Sequence, residues 1–312
     1  MQAVILAAGK GTRLQPLTLE RSKAMMPIAG KSMLARVMDM LQAAGLDEFI
    51  IVAHPEDREL YNVFSPLPNV KIVWQTERKG AAHALSYAAP YIKTDFVLSA
   101  CDNLVEHAEA ARFVQHFSAD PIHPPAGLLA LIRVPKEKMS SMGMVVWDGV
   151  KIQKIVEKPS PQAVISDIVS MPLYCFSQRF LELLPRIQPS RRGEIELQDA
   201  MQMLIDESGD LQGEMLSGRR TVTDANDLLE LNLHFLAREA TALPTGFPAS
   251  TRFQAPCLVE PDVEIAADCQ IGPNVLLETG SKIGRGAVLR NALILRGAVV
   301  PAGETVENKI FA

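Results

Sequence analysis

Seven aliphatic side chains late in the chain recur on a strict period of six: Val259, Ile265, Ile271, Leu277, Ile283, Leu289 and Leu295. Four places after each stands a second small or apolar residue: Val263, Cys269, Val275, Ser281, Ala287, Leu293 and Val299. Such a run is the hexapeptide signature of a parallel β-helix, whose short faces each turn one aliphatic side chain into a stacked core. Chance alternation gives two or three matches, not seven in phase. With three hexapeptides to a coil, residues 250–312 make about two and a half coils. A stack that short leaves open apolar ends, which need a cap or a neighbour. A homo-oligomer assembled through this module is therefore expected. Hexapeptide domains that transfer acyl groups use a histidine in or between coils. All six histidines here (54, 83, 107, 116, 123 and 234) precede the repeat, so packing is its expected role.

Upstream the pattern is different. The apolar runs Ala3–Ala7, Phe49–Val52, Val70–Trp74 and Phe96–Ser99 are separated by segments with helical spacing, including Met33, Leu34, Val37, Met38 and Leu41 before Gly45. Continuous apolar strands alternating with helices predict an α/β fold with a mostly parallel sheet covered on both faces. Runs at 127–134, 143–147, 150–156 and 169–176 have fewer helices between them and predict an inserted antiparallel subdomain. Helical patterns return at 178–185, 195–206 and 225–240.

The first strand ends in Leu6-Ala7-Ala8-Gly9-Lys10-Gly11-Thr12-Arg13, with Lys23 ten residues on. Glycines let successive backbone N–H groups close on an anion, and Arg13 and Lys23 add fixed positive charge. The string is not a P-loop, which needs Gly-Lys-Ser/Thr, nor a dinucleotide fingerprint, because position 14 is Leu. It reads as a polyphosphate grip at a strand end, where open α/β sheets bind ligands.

Bulk properties narrow the class. A chain of 312 residues suggests about two domains. Cys101, Cys175, Cys257 and Cys269 have no metal-binding spacing and read as buried thiols in a reducing compartment. No apolar run is long enough to span a membrane, and the opening residues form a strand instead of a charged leader. A net charge of −5 without a basic block argues against nucleic acid polymers. A cytoplasmic protein is expected.

The opening string, the period-six tail and their order resemble the sugar nucleotidyltransferase family, especially the glucose-1-phosphate thymidylyl- and uridylyltransferases and the mannose-1-phosphate guanylyltransferases. The resemblance implies a Rossmann-like, mixed, mostly parallel catalytic domain over residues 1–243 and a short left-handed parallel β-helix over 250–312. It implies transfer of a nucleotidyl group from a nucleoside triphosphate to a sugar 1-phosphate with release of pyrophosphate, glucose 1-phosphate with dTTP or UTP leading. Two polyanions must be brought together, which calls for cations and Mg²⁺.

On that resemblance Arg13 and Lys23 are catalytic, Arg13 on the leaving pyrophosphate and Lys23 toward the α-phosphate. Leu6, Ala8, Gly9, Gly11, Thr12, Gln75 and Gly80 bind the nucleotide; the amide of Gln75 suits a uracil or thymine edge. Asp102, directly after the fourth strand, matches a family Mg²⁺ ligand, although a helix N-cap is the other reading. Gly143, Glu157, Lys158, Arg192 and Glu196 match sugar-phosphate contacts. An ordinary helix start also explains the 192–199 segment.

Departures from the family pattern bear on substrate and metal. Ala24 stands where the family has proline, Cys101 where it has glycine, and Ser170-Met171-Pro172-Leu173-Tyr174 where it has Asn-x-Gly-Ile-Tyr. Thr221 aligns with the second metal aspartate; Asp224 is the remaining candidate ligand, and equally an N-cap for the helix that follows. The retained charges favour an enzyme. A catalytically weak homologue that senses nucleotide or sugar phosphate is the alternative, and activation of another phosphorylated alcohol is a third reading.

Overall fold

The computed structural model describes residues 1–120, 122, 124–240 and 242–312; His123 lies outside the described residues. Two compact units divide the chain: residues 1–10 with 37–220, and residues 11–36 with 221–312.

Among the described residues, the first unit is built on one nine-stranded sheet. Its strands are β1 Gln2–Leu6, β2 Phe49–Ala53, β3 Val70–Trp74, β4 Phe96–Ala100, β5 Gly127–Arg133, β6 Gly143–Trp147, β7 Ile152–Glu157, β8 Ile168–Phe176 and β9 Leu211–Met215. Helices α1 Met33–Ala43, α2 Arg58–Phe64, α3 Ala81–Ala88, α4 His107–Phe117 and α5 Leu197–Ser208 alternate with them, the first turn of α1 belonging to the second unit. The path β9-β5-β8-β4-β1-β2-β3 has a parallel half, in which β1 lies between β2 and β4 and β2 pairs with β3. Every residue of β2 is buried, as expected for a strand covered on both faces.

The run from 127 to 176 forms the expected antiparallel part. Strand β8 is antiparallel to β4, β5 and β6, and β6 and β7 make a hairpin. The β8–β5 register shifts between Ser170 and Tyr174, where Pro172 stands; a residue without an N–H fits a strand at such a bulge. The helix expected at 178–185 is a 3-10 winding, Gln178–Arg186, with Pro185 inside it. Phe176 and Phe180 stack there with ring centroids 3.8 Å apart.

In the second unit, short parallel strands stack at chain intervals of 18 and then 17 residues: Cys257 pairs with Val275 and Val275 with Ala292, while Glu264 pairs with Lys282 and Lys282 with Val299. The shorter second interval breaks the period of six after Leu289. Ile294 partners Leu277 and, with Val300 and Val306, continues the core, whereas Leu295 does not join it. The companion series slips likewise: Ala292 and Ala298 enter the core, and Val299 is exposed. Asn274, Asn291 and Asn308 take positive φ at one corner, and their side-chain amides form a ladder with bonds of 2.8 and 2.9 Å.

Helix α6 (Ala225–Glu239) packs on the outer face of this stack, where Leu258, Leu276, Leu293 and Ile310 are in register. Asn232 of α6 accepts from the Ala29 N–H and donates to the Pro27 carbonyl; Arg36 pairs with Glu239 and lies over the Phe235 ring. Buried polar groups must be partnered, so these bonds fix residues 27–36 to α6. The boundary expected at 243–250 thus falls inside the second unit.

Candidate functional site

In the first unit, β1 and β4 are neighbours that continue into opposite halves of the sheet, so the strand order reverses between them. Open α/β sheets bind ligands outside the strand ends at such a point. A cavity of about 430 Å³ opens there, within the size range of small-molecule sites. Leu6 at the end of β1 and Ala8 and Gly9 just after it line the cavity, with Leu98 to Ala100 at the end of β4 and Gln75 and Gly80 after β3. Pro172, Tyr174, Leu197 and Gln198 form the far wall. A Cβ on Gly9 would meet nothing within 4 Å, so protein packing does not require glycine there.

Two backbone ties shape the Gln75–Gly80 loop. The Ile195 N–H donates to the Lys79 carbonyl at 2.7 Å, and the Ala82 N–H donates to the Ile195 carbonyl at 3.1 Å. At Gly80, φ is 106°, and an added Cβ would lie 2.6 Å from the Ile195 oxygen. Glycine is therefore required by the approach of the 195 backbone, a reason distinct from the base contact expected from the sequence. Gln75 is almost fully buried; its Nε2 lies 3.4 Å from the Gly80 carbonyl oxygen and 3.1 Å from His83 Nδ1. Arg78, which the sequence reading passed over, donates Nε–H to the Ala8 carbonyl at 2.7 Å.

A charged cluster lies where β6, β7 and the start of α5 meet. A Cβ on Gly143 would sit 3.1 Å from both Glu157 Oε2 and Ser170 Oγ and 3.3 Å from Gln198 Nε2. Glu196 is buried and accepts from Arg192 at 2.7 Å and Ser190 Oγ at 3.0 Å. Burial pushes the Glu157 carboxyl above its ordinary range; Lys158 and Arg192 oppose that rise and Glu196 adds to it. Burial also raises Tyr174 to about 12, with Ser170 opposing and Glu157 reinforcing. The Arg192 guanidinium is held more basic by its bond to Glu196. Lys158 takes a φ of 46°, which costs a side-chain-bearing residue roughly 1–2 kcal/mol; its N–H is anchored on the Met142 carbonyl.

Asp102 sits in the turn after β4 and is half-buried. Among the described residues no three histidine, cysteine or acidic side chains gather as a metal cluster. One carboxylate still fits the chemistry of magnesium, which commonly takes one or two carboxylates plus substrate phosphates.

The remaining expected residues belong to the second unit. Gly11 takes a φ of 63°, and a Cβ there would lie 3.0 Å from Lys23 Cβ and 3.3 Å from Thr18 Cγ2. Thr18 Oγ1 donates to the Gly11 carbonyl at 2.8 Å, so Gly11, Thr18 and Lys23 form one compact loop. Thr12 and Arg13 start a 3-10 turn on it, both exposed. Asp224 accepts from the N–H groups of Asn226 and Asp227 at 2.9 and 3.1 Å, which is N-capping of α6.

The profile of the Nucleotidyl transferase family matches residues 2–236, three quarters of the chain. The chain belongs to that family. A second profile, described as the GMPPB C-terminal domain, matches residues 253–312 of this nucleotidyl transferase. It is 32% identical over 237 residues to "Bifunctional protein GlmU" of Methanococcus maripaludis, a match covering 76% of this chain and 54% of that one. It thus spans about half the length of the first curated relatives it matches. It is 33% identical over 209 residues to "UTP--glucose-1-phosphate uridylyltransferase AglF" of Haloferax volcanii, covering 66% and 84%. Its fold is similar to a crystal structure of a UDP-glucose pyrophosphorylase complexed with UDP-glucose, at a TM-score of 0.67 and 21% identity, covering 76% of this chain and all but 1% of that one. No helix among the described residues of the nucleotidyl transferase is long and apolar enough to cross a membrane.

Proximity in the fold, not spacing, marks the residues that sequence reasoning missed. Arg78 and Ser99 come from separate elements, and nothing in their local sequence distinguishes them; Ser170, Tyr174, Ile195 and Gln198 lie in segments that the resemblance singles out, but their individual contacts emerge only in the fold.

Proposed function

We propose that this nucleotidyl transferase joins a nucleoside triphosphate to a sugar 1-phosphate and releases pyrophosphate, with UTP or dTTP and glucose 1-phosphate as substrates. The observation that carries the reading is the cavity at the strand-order reversal. Its walls hold Gly9 and Gln75 on one side and Tyr174 and Gln198 on the other. The uridylyltransferase activity named for the Haloferax volcanii relative supports the same class.

In this reading Leu6, Ala8, Gly9, Gly11 and Thr12 hold the nucleotide and its phosphates, and Gln75 and Gly80 hold the base. Arg13 neutralises the leaving pyrophosphate and Lys23 the α-phosphate. Gly143 and Glu157 bind sugar hydroxyls; Lys158, Arg192 and Glu196 place the sugar phosphate for in-line attack. Asp102 would hold Mg²⁺, which when bound offsets the charge of the converging phosphates. The 250–312 stack reads as a short left-handed β-helix used for homo-oligomer packing. The four cysteines, all buried and none in a disulfide, suit a cytoplasmic setting.

The test is pyrophosphate release across the common nucleoside triphosphates and glucose, mannose and N-acetylglucosamine 1-phosphates with Mg²⁺. Turnover is expected with UTP or dTTP, and Arg13→Ala should lower kcat by about 10³. Absence of turnover with every pair overturns the reading.

A further inference from the structure

The side chain that reads the base in this assignment is itself held by another. Gln75 Nε2 faces two groups, the Gly80 carbonyl at 3.4 Å and His83 Nδ1 at 3.1 Å. A main-chain carbonyl can only accept, so the amide end turned to Gly80 is the NH₂. His83 Nδ1 faces the same NH₂ and must then be the accepting nitrogen, with the ring proton on Nε2. Both amide hydrogens of Gln75 are thereby engaged within the protein. No group among the described residues donates to Oε1, and Gln75 lines the cavity.

We infer that His83 is a positioning residue that fixes the Gln75 amide with its oxygen toward the cavity, so that the site selects a base carrying an imino N–H. The inference rests on reading the cavity as the nucleotide site. Uracil and thymine offer an N3–H, and guanine an N1–H, to a fixed acceptor. Cytosine and adenine present an unprotonated ring nitrogen at that place, which opposes Oε1 lone pair to lone pair. A freely turning glutamine would serve either kind, since it carries donor and acceptor on one group. The discrimination therefore comes from His83, in the first turn of α3, through a bond that spans eight residues of chain.

His83 also meets the Tyr87 ring edge-on, centroids 5.1 Å apart, so a purely packing role is the competing account. Two measurements on the full chain separate the accounts. Long-range ¹H–¹⁵N spectra of the wild-type protein should show His83 as the Nε2–H tautomer; an Nδ1–H tautomer overturns the inference without any variant. The ratio of kcat/KM for UTP over CTP, with glucose 1-phosphate, should fall at least tenfold in His83→Leu. His83→Asn, whose Oδ1 supplies an acceptor near the place of Nδ1, should keep most of the ratio. Equal losses for both nucleotides in His83→Leu, leaving the ratio intact, assign His83 to packing alone and overturn the inference. A wild-type preference for CTP or ATP overturns it too. Wild-type protein that neither binds nor turns over any nucleotide removes the functional reading first, and is recognised by failing before any variant is compared.

Discussion

Arg78 donates its Nε–H to the main-chain oxygen of Ala8 across 2.7 Å, tying the loop after β3 to the glycine loop after β1. Both loops line the cavity, so one guanidinium sets the spacing between the expected base site and the start of the phosphate grip. A hydrogen bond from a charged donor contributes about 1.5–3 kcal/mol. Arg78→Ala is expected to raise KM for the triphosphate roughly tenfold to a hundredfold with little change in kcat. Arg78→Lys should recover only part, because an ammonium does not reproduce the planar fork. Steady-state kinetics with triphosphate varied at saturating sugar phosphate measure both; an unchanged KM in Arg78→Ala would separate this bond from nucleotide binding.

Glu157 gives a pH prediction with a definite sign. Burial raises its carboxyl above the ordinary value of 4.5 in the folded chain, so folding favours the protonated form. That contribution is fully present below the ordinary value and is lost as pH rises through the folded value. Glu157→Gln keeps a neutral side chain throughout, so its Tm relative to wild type should climb over that window and stay higher at neutral pH. Turnover should move the other way, falling by about 10² with loss of a carboxylate on the sugar. Thermal melts from pH 4 to 8 check the first part; a parallel pH dependence in both proteins would show that Glu157 is not the group responsible.

Asp224 and Asp102 should respond differently to removal of charge. Asp224 already spends Oδ1 on two N–H groups at the start of α6. Asp224→Asn caps nearly as well, and Asp224→Ala should cost about 1 kcal/mol of stability, with the Mg²⁺ requirement unchanged in both. Asp102→Asn should abolish metal-dependent turnover. Mg²⁺ titrations of activity decide it: a weakened Mg²⁺ response in Asp224→Asn would return that residue to the metal.

Inside the second unit, Arg21 Nη1 meets both oxygens of Glu278 at 2.8 and 3.0 Å, and the Arg296 N–H donates to the same carboxylate. The Glu278 side chain is only 4% exposed, so without the Arg21 guanidinium its charge keeps the Arg296 N–H but has little solvent to screen it. Arg21→Ala is expected to cost about 3–5 kcal/mol, whereas the double change to Met and Leu should cost much less. Denaturant unfolding of the three proteins measures the difference; equal losses would mean that packing outweighs charge at this pair.

The local sequence determined a good deal of this protein. Strand runs such as Phe49–Ala53 and the helix from Met33 were legible because burial on one face or two leaves a period in the chain. The glycine string after β1 announced a loop for the same local reason. The repeat was legible too, but its phase was not: a coil one residue shorter moved the core from Leu295 to Ile294, a slip that only pairing across 17 residues reveals. Tertiary structure alone decided that residues 11–36 and α6 join the C-terminal stack, since Asn232, Arg36 and the Leu258–Leu276–Leu293 row acquire partners far off in sequence. It also decided that Gly80 yields to the Ile195 backbone, that Asp224 caps a helix, and that Arg78 and His83 hold the cavity's parts. Periodicity records which face of an element is buried. It carries no record of which distant group a side chain will meet, and hydrogen bonds between elements are made only once the chain has closed on itself.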